Sequence, residues 1–255
     1  MIESNPYRSK SAAEDFANYR RLNPILLGRL AENISPGEMF LDAGCGRGRF
    51  LEPLSELRGG RGVGIEISPT MLAEARKHNQ HLVQGDIVHL PFADGVFPFV
   101  YSIDVIHFLK GQNVTAIGQS ELSSFFQETA RVLAPGGSLF LRTDRADKDI
   151  GTKLHHIYFP ETVAVDRERF HSEALLRRSL LRAGFLDISV ETIEAIEEGD
   201  NFRKRVEDIS KKAQSALRLI SDVDFEQGLA RLNAARDSGL DFWSSTYSVI
   251  TAKRN

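Results

Sequence analysis

Short apolar runs alternate along the chain with stretches whose apolar residues recur at helical spacing. The runs rich in β-branched or aromatic residues predict strands, and they lie at 39–43, 62–67, 81–84, 97–103 and 138–142. Helical spacing lies between them, at 50–57, 69–78 and within 121–133. This alternation of strand and helix predicts a parallel sheet covered by helices.

Further elements flank this core on both sides. Residues 11–32 are predicted to form two helical pieces, the second opened by Asn23 as cap and Pro24 in the first turn. The later elements are a helix over 167–183, a sixth strand over 185–192, a long charged helical stretch over 200–235 and a closing strand over 243–252. We therefore predict a helical cap at 1–35 and one domain at 36–255, with a helical insertion at about 195–240.

A glycine-rich turn follows the first strand, with Gly44, Gly46 and Gly48 at alternate positions. Glycines let the backbone bend tightly and let a ligand approach amides that no Cβ shields. A dinucleotide fingerprint would need its third glycine at position 49, which is Arg49, and the Lys-Ser/Thr pair of a Walker loop is missing. Asp42 at the strand end would repel a pyrophosphate but attract an ammonium group. The turn therefore favours a cationic ligand.

Two more acidic residues stand at strand ends. Glu66 closes the second strand, where open parallel sheets present a carboxylate to ribose hydroxyls. Asp86 follows the third strand in a Gly85-Asp86 turn, shortly before Leu90-Pro91-Phe92. Asp42 and Glu66 together indicate a nucleoside that carries a positive tail, whereas Asp86 by itself could equally be a turn residue.

These segments resemble class I S-adenosylmethionine-dependent methyltransferases of the small-molecule type. The shared segments are Asp42-x-Gly44-x-Gly46-x-Gly48, Gly64-Ile-Glu-Ile-Ser68, Gly85-Asp86 with Leu90-Pro91-Phe92, Ser102-Ile-Asp104 and Arg131-Val-Leu-Ala-Pro-Gly-Gly137. The resemblance covers about residues 36–145 well and the closing strands loosely. It implies a Rossmann-like, doubly wound α/β fold: a seven-stranded, mostly parallel sheet with the last strand antiparallel, plus helical lid additions. It also implies S-adenosyl-L-methionine as cofactor and S-adenosyl-L-homocysteine as product.

Carried over position by position, the resemblance assigns residues to the methionine end of the cofactor. Asp42 would lie near the methionine amine, directly or through water. The glycine turn would line the methionine moiety through Gly44, Cys45 and Gly46. Ser102 and Ile103 would lie near the sulfonium.

The resemblance assigns the nucleoside end as well. Glu66 would accept from the ribose hydroxyls, and Ile67 would pack on adenine. Asp86 would accept from the adenine amino group, with Ile87 beside it.

Several other side chains allow two interpretations. His107, after the fourth strand, could be a general base toward an acceptor hydroxyl or a packing residue of a short helix. Cys45 has no visible partner for nucleophilic chemistry and is interpreted as a small residue packed on the ligand. His155 and His156, near Tyr158, could suggest a metal, but adjacent residues of an extended chain point to opposite sides. We therefore predict no metal site.

Composition and charge narrow the function further. Hydrophobic residues make up 42% and charged residues 26% of the 255, which excludes a disordered polymer. The net charge of -3 gives no global attraction to nucleic acid or anionic lipid, and the basic run Arg203-Lys-Arg205 is interleaved with acids. The apolar runs are too short for a membrane span, and the N-terminus lacks a signal-peptide layout. The single cysteine is consistent with a cytoplasmic location.

We predict an S-adenosylmethionine-dependent methyltransferase that acts on a small-molecule acceptor by in-line displacement, without nucleic-acid or membrane partners. The alternatives are a methyltransferase acting on a macromolecule and a non-catalytic S-adenosylmethionine-binding protein. The additions at 11–32 and 200–235 are expected to roof an apolar acceptor pocket, with Phe16, Tyr19 and the Tyr158-Phe159 loop among its walls. The acceptor, the methylated atom and the oligomeric state stay open.

Overall fold

A computed structural model describes residues 22–79, 81–111 and 120–255. Phe16 and Tyr19 lie outside the described residues. The strands are β1 Met39–Ala43, β2 Arg61–Glu66, β3 Leu82–Gln84, β4 Phe97–Ile103, β5 Leu133–Thr143, β6 Phe185–Glu198 and β7 Phe242–Arg254. The helices in the described part are α1 Pro24–Glu32, α2 Leu51–Arg58, α3 Pro69–Ala75, α4 Glu121–Val132, α5 Leu154–Tyr158, α6 Glu161–Arg169, α7 Glu173–Arg182, α8 Gly199–Ser210 and α9 Asp222–Asp237. Short 3-10 turns lie at Ile106–Phe108 and Ser215–Arg218.

The seven strands form one sheet in the order β3-β2-β1-β4-β5-β7-β6. β1 to β5 pair in parallel, and β7 is antiparallel to β5 and β6. The Rossmann-like α/β fold is therefore confirmed. The strand order reverses between β1 and β4, and open sheets of this kind bind ligands beyond the strand ends at such a reversal.

Helix starts follow the capping signals of the sequence. The Asn23 side chain accepts hydrogen bonds from the Ile25 and Leu26 amides at 3.0 and 3.1 Å, ahead of α1. Ser68 Oγ accepts from the Met71 amide at 3.4 Å, ahead of α3. Each cap satisfies amides that have no partner within their own helix.

The single helix predicted over 167–183 is wrong. The chain forms α6 and α7 instead, separated at residues 170–172. His171 pairs as an isolated parallel bridge with Arg145, and its carbonyl accepts from the Ala146 amide at 3.1 Å. Because bridge pairing requires extended backbone, the helix has to stop before His171.

The long helical stretch predicted over 200–235 is also interrupted. α8 ends at Ser210, and Ser221 opens α9 as a new cap, accepting from the Asp224 amide at 3.1 Å. β6 continues to Glu198, beyond the predicted end at residue 192. Half-buried and exposed positions alternate through most of the added segment, which is the period of a strand.

The chain divides into two compact units. Unit 1 comprises the described residues up to Thr143, Ala174–Val190 and Val249–Asn255, and unit 2 comprises Asp144–Glu173 and Glu191–Ser248. Unit 2 therefore includes the predicted insertion and also the segment after β5.

Each unit has a hydrophobic core of its own. In unit 1 the buried side chains of β1, β4 and β5 pack with Phe125 and Phe126 of α4 and with Leu176 and Leu180 of α7. The core of unit 2 consists of Leu154, Phe159, Phe202, Val206, Ile209, Leu217, Phe225 and Leu232. Six of these residues belong to the addition at 200–235 that was expected to roof an acceptor pocket, and they pack in this core instead.

Unit 2 also buries a polar network around Arg145 and Asp149. Arg145 Nε donates to Ser248 Oγ at 2.7 Å, and Ser248 Oγ donates to Asp149 Oδ2 at 2.5 Å. Thr246 donates to the other carboxylate oxygen of Asp149 at 2.7 Å, and the guanidinium also pairs with Glu173. Buried charges need such partners, because desolvation without them is costly.

Gly228→Ala tests the packing of unit 2. Alanine normally stabilises a helix by up to about 1 kcal/mol relative to glycine, but a Cβ at Gly228 would lie 2.2 Å from the Phe159 ring. We expect the clash to dominate and unfolding to become easier by about 1–3 kcal/mol. The measurement is urea unfolding followed by the fluorescence of Trp243, the single tryptophan of the chain.

The matched control is Gly28→Ala in α1, where nothing lies within 4 Å of an added Cβ. It should not lower the urea midpoint. Equal midpoints for Gly228→Ala and the unaltered chain would contradict the packing described here.

Candidate functional site

The glycine turn after β1 is held against the end of β2. The amides of Gly44 and Cys45 both donate to the Ile65 carbonyl at 2.9 Å. Gly44 has a φ of 85° and Gly46 a φ of 56°, in the left-handed region that glycine adopts without strain. A Cβ at Gly44 would lie 2.6 Å from Val105, whereas a Cβ at Gly46 would meet only Met71 Sδ, at 3.7 Å. The turn is thus tightly packed at Gly44 and open at Gly46.

Glu66 joins this turn to the helix that follows β2. Its Oε2 accepts from the Gly46 amide at 2.9 Å, and its Oε1 accepts from the Ser68 amide at 2.8 Å. Burial raises the pKa of Glu66, although these amides oppose the shift. The Ile67 amide also lowers this pKa. A carboxylate offers about four acceptor positions, so the side chain can still bind a hydroxyl group.

Asp42, at the end of β1, is 3% exposed. Burial raises the pKa of Asp42 from 3.8 to about 7, the Tyr101 hydroxyl and the Arg49 guanidinium oppose the shift, and Glu66 adds to it. A buried carboxylate of this kind gains stability from a neighbouring cation.

The other predicted nucleoside contacts lie beside Glu66. The Gly85 amide donates to the Glu66 carbonyl at 3.1 Å, which places the third strand end next to the second. Asp86 Oδ1 accepts from the Val88 amide at 3.1 Å and thereby shapes the turn. Ile87 is buried and Ile67 is half-buried. The structure therefore brings the predicted nucleoside residues to one sheet edge.

Ser102 and Ile103 are the last two residues of β4, beside β1. Ser102 is 1% exposed, and its hydroxyl donates to the Ala43 carbonyl at 2.7 Å. That hydrogen bond ties β4 to the strand that carries the glycine turn. Ile103 is also buried.

The Cys45 thiol is buried beside two acids. Burial, together with Asp42 and Glu66, raises the pKa of Cys45 well above 9.0. Because the thiolate is the nucleophilic form, this environment argues against a nucleophilic role.

His107 lies in the short 3-10 turn after β4 and is 6% exposed. Its ring centroid is 3.9 Å from that of Phe108. This burial is consistent with a packing residue, and the general-base role stays a prediction.

The sequence interpretation missed a charged group at the same edge. Asp104, directly after β4, pairs with Arg142 of β5, and its Oδ2 lies 4.0 Å from Nη2 of Arg49. Asp104 has a φ of 57°, which is uncommon for a residue with a side chain. The available signal was the series of charged residues at strand ends, but the sequence does not reveal this pairing.

The expectation of an extended chain at His155 and His156 is wrong. Both residues lie in α5, and their Nε2 atoms are 3.4 and 2.9 Å from Asp166 Oδ2. Arg169 donates to Asp166 Oδ1 at 2.5 Å. Hydrogen bonds from the histidines and the Arg169 charge lower the pKa of Asp166 despite its burial. Burial lowers the pKa of His155 to about 4, against the effect of Asp166.

This cluster has the composition of a metal site, with ligand atoms within 4.8 Å of one another. However, the Gly151 amide donates to His156 Nδ1 at 3.0 Å, so the proton of the neutral ring belongs on Nε2, the atom facing Asp166. A metal on Nε2 would need the opposite tautomer, and its charge would add to that of Arg169. The absence of a metal therefore stays our prediction. Tyr158 ends the same helix, and its carbonyl accepts from Arg231 at 2.8 and 3.0 Å.

The basic run of unit 2 is paired with acids, as its interleaved sequence predicts. Arg203 pairs with Asp200, and Lys204 lies 2.8 Å from Asp208. Further pairs are Arg205 with Glu197, Lys211 with Glu207 and Lys212 with Asp222. These side chains form a neutralised helix surface. Across the described residues, every helix is too short or too polar to cross a bilayer.

Comparison with known proteins gives matches to methyltransferases. A family model described as a methyltransferase domain matches residues 41–141. Sterol 24-C-methyltransferase erg6 of Schizosaccharomyces pombe is 27% identical over 51% of this chain and 33% of its own length. Malonyl-[acyl-carrier protein] O-methyltransferase of Serratia marcescens is 34% identical over 42% of this chain and 39% of its own length. A human protein named as tRNA methyltransferase 9B is 33% identical over 42% of this chain and 21% of its own length. The chain thus matches about a fifth to two-fifths of these relatives.

Solved structures share the fold over a larger part of the chain. A protein of Anabaena variabilis, named as a methyltransferase from an antibiotic biosynthesis pathway, gives a TM-score of 0.72 at 21% identity, over 92% of this chain and 98% of its own. Phosphoethanolamine N-methyltransferase 2 of Haemonchus contortus, solved with S-adenosylhomocysteine, gives 0.64 at 17% identity, over 98% of this chain and 60% of its own. At identities of 21% and 17%, the similarity shows a shared fold and nothing more.

Asp42→Asn tests the raised pKa of Asp42 in the chain without bound ligand. Between about pH 4 and 7 the folded protein keeps a proton on Asp42 that the unfolded chain has released, so stability falls as the pH rises through this window. The amide cannot ionise. At pH 8 the variant should exceed the unaltered chain in free energy of unfolding by on the order of 2–4 kcal/mol, and the difference should shrink toward pH 4.

Urea unfolding followed by circular dichroism at pH 5 and pH 8 measures this difference. Glu56→Gln removes an exposed carboxylate from α2 and should give the same pH profile as the unaltered chain. An Asp42→Asn profile parallel to that of the unaltered chain would disprove the raised pKa.

Proposed function

We propose that this chain is a class I S-adenosylmethionine-dependent methyltransferase that transfers the cofactor's methyl group to a small-molecule acceptor by in-line displacement. A methyltransferase-domain model matches residues 41–141. The observation that carries the proposal is the pair of buried strand-end carboxylates, Asp42 and Glu66, around a glycine turn that is open at Gly46.

S-adenosyl-L-methionine, the cofactor of this family, fits the residues present. Its ammonium group would neutralise the buried Asp42, whose raised pKa reflects burial. Its ribose hydroxyls would donate to the free acceptor positions of Glu66. A dinucleotide would instead bring a pyrophosphate against these carboxylates, which repel it.

The remaining cofactor contacts are proposed by position. Gly44, Cys45 and Gly46 would line the methionine moiety, with Ser102 and Ile103 toward the sulfonium. The adenine would contact Ile67, Asp86 and Ile87. The Ser102 hydroxyl already donates to Ala43, so its role toward the sulfonium would be one of shape and not of donation.

The bound cofactor supplies the activated methyl group, because a sulfonium is already a good leaving group. The work of the chain is to align the reacting atoms, exclude water and, for acceptors such as alcohols or phenols, remove a proton. His107 is the residue proposed to accept that proton, since it follows the strand that ends at Ile103. A carboxylate or amine acceptor would need little help of this kind.

A small acceptor is favoured over a nucleic acid by the charges of the described residues. The basic side chains of α8 pair with acids, and the net charge is -3, so no clustered positive surface arises from this run. The relatives named for malonyl-[acyl-carrier protein] and phosphoethanolamine provide precedents for small acceptors. Phe16, Tyr19 and Tyr158 remain the proposed acceptor contacts. The single cysteine supports a cytoplasmic location.

The test begins with calorimetric titration of S-adenosyl-L-methionine and S-adenosyl-L-homocysteine. Methyl-labelled cofactor is then incubated with small carboxylic acids, amines, phenols and acyl-carrier thioesters, and separately with total tRNA. Label transfer to a small molecule supports the proposal, and transfer to tRNA alone favours a macromolecular substrate. Binding without any transfer favours a non-catalytic binding protein, and absence of binding refutes the cofactor assignment.

Glu66→Ala should weaken S-adenosyl-L-homocysteine binding by roughly 1–3 kcal/mol, because ribose hydroxyls and the Gly46 amide lose their acceptor. Calorimetry measures the change. Glu74→Ala removes a carboxylate of the adjacent helix α3 that is 37% exposed and pairs with Lys77, and it should leave the affinity unchanged. Equal losses for the two variants would argue against a direct role for Glu66.

His107→Ala should leave cofactor affinity within a few fold, because the residue is proposed to face the acceptor. If His107 removes a proton, turnover of an acceptor found in the screen should fall about 10²–10⁴-fold, and the acidic limb of the pH–rate profile should disappear. Turnover and a pH profile like those of the unaltered chain would assign His107 to packing.

A further inference from the structure

Two arginines converge on the carboxylate of Asp104 at the sheet edge of unit 1. Arg142 of β5 pairs with Oδ1, and Nη2 of Arg49 lies 4.0 Å from Oδ2. The side chains of Asp104, Arg142 and Arg49 are 16, 21 and 25% exposed. Water screens partly buried charges less than exposed ones, so the attraction among these groups is strengthened.

The backbone fixes Asp104 against the glycine turn. The Asp104 amide donates to the Arg142 carbonyl at 2.9 Å. The next residue, Val105, occupies the space that a Cβ of Gly44 would need. The left-handed φ of 57° at Asp104 is sterically unfavourable and persists because the neighbouring contacts determine it.

Arg49 interacts with two carboxylates. Its charge lowers the pKa of Asp42, and its Nη2 lies 4.0 Å from Oδ2 of Asp104. Tyr101 of β4 and Glu66 of β2 also act on the pKa of Asp42, and Asp42 in turn raises the pKa of Cys45 in the glycine turn. Arg49 is the cation among these four groups.

We propose that Asp104 is a positioning residue that holds Arg49 away from Asp42 and so leaves the Asp42 carboxylate available to the ammonium group of S-adenosyl-L-methionine. The inference rests on the proposed function, because it concerns the same cofactor site. Without the Asp104 charge, the Arg49 guanidinium would move toward Asp42 and compete with the ammonium group for the same carboxylate. Asp104 would thus act on the cofactor through Arg49, without touching it.

Calorimetric titration of S-adenosyl-L-homocysteine in a double-mutant cycle tests the inference. Asp104→Asn removes the charge but keeps the size and a residue type that tolerates left-handed backbone. It should weaken binding at least about tenfold, within the range measured for close charge pairs. Arg49→Gln should bind within about threefold of the unaltered chain, and the double variant should match Arg49→Gln. Removing Arg49 therefore restores the affinity lost at Asp104.

Arg142→Gln is the matched control, because it removes the other cation of the same carboxylate and should bind within about threefold of the unaltered chain. Circular dichroism checks that each variant is folded. Asp104→Gly removes the charge and the backbone strain together. It should weaken binding of S-adenosyl-L-homocysteine as much as Asp104→Asn does, and adding Arg49→Gln should again restore the affinity.

Three outcomes would overturn the inference. Unchanged binding in Asp104→Asn would show that the charge does not matter. A loss that Arg49→Gln does not restore would show that Asp104 acts through local structure. A loss in Arg49→Gln alone would show that Arg49 binds the ligand itself. Failure of the unaltered chain to bind S-adenosyl-L-homocysteine would instead overturn the proposed function, and this inference with it.

Discussion

Asp42 and Glu66 are buried at the ends of the neighbouring strands β1 and β2. Burying two carboxylates costs desolvation free energy, and the groups around these strand ends offset part of that cost. Burial raises the pKa of both carboxyls. Glu66 recovers part of this free energy from two backbone amides, one of them in the glycine turn. Asp42 has a raised pKa near neutrality, so a cationic ligand is what would relieve it most. Binding of a cation beside Asp42, as proposed above, would therefore stabilise the folded chain.

Unit 2 buries both apolar side chains and charged groups, and its buried charges are paired with one another. Its apolar helix faces pack on one another around Phe159 and Phe225, whose ring centroids are 5.5 Å apart. Its buried charges are neutralised internally: Arg145 meets Asp149 through Ser248, and Asp166 is surrounded by two histidines and an arginine. Such networks stabilise a small unit, since the loss of one partner would leave a buried charge.

The similar proteins share the fold of this chain but are named for different methyl acceptors. A TM-score of 0.72 accompanies only 21% identity, so the sheet persists while most side chains differ. Relatives of the matched segment are named for sterol, acyl-carrier protein and tRNA substrates. One fold can serve methyltransferases with many different acceptors. The side chains around the methyl donor, and not the fold, determine which acceptor binds.

The sequence by itself determined the parallel sheet, the glycine turn and the strand ends at Asp42 and Glu66. Each depends on local pattern: apolar runs, glycines at alternate positions, and an acid placed where a strand must stop. Asn23 could also be identified as a cap, because a cap acts on amides only two or three residues away.

The tertiary structure alone decided which distant groups meet. The helix break at His171 depends on a bridge to Arg145, and the orientation of His155 and His156 depends on Asp166. Asp104 meets Arg49, which follows the glycine turn, and Arg142 of β5, and these two arginines lie on opposite sides of Asp104 in the sequence. Pairing and burial of charges depend on chain segments brought together by folding, and a local sequence pattern contains no information about which segments those are.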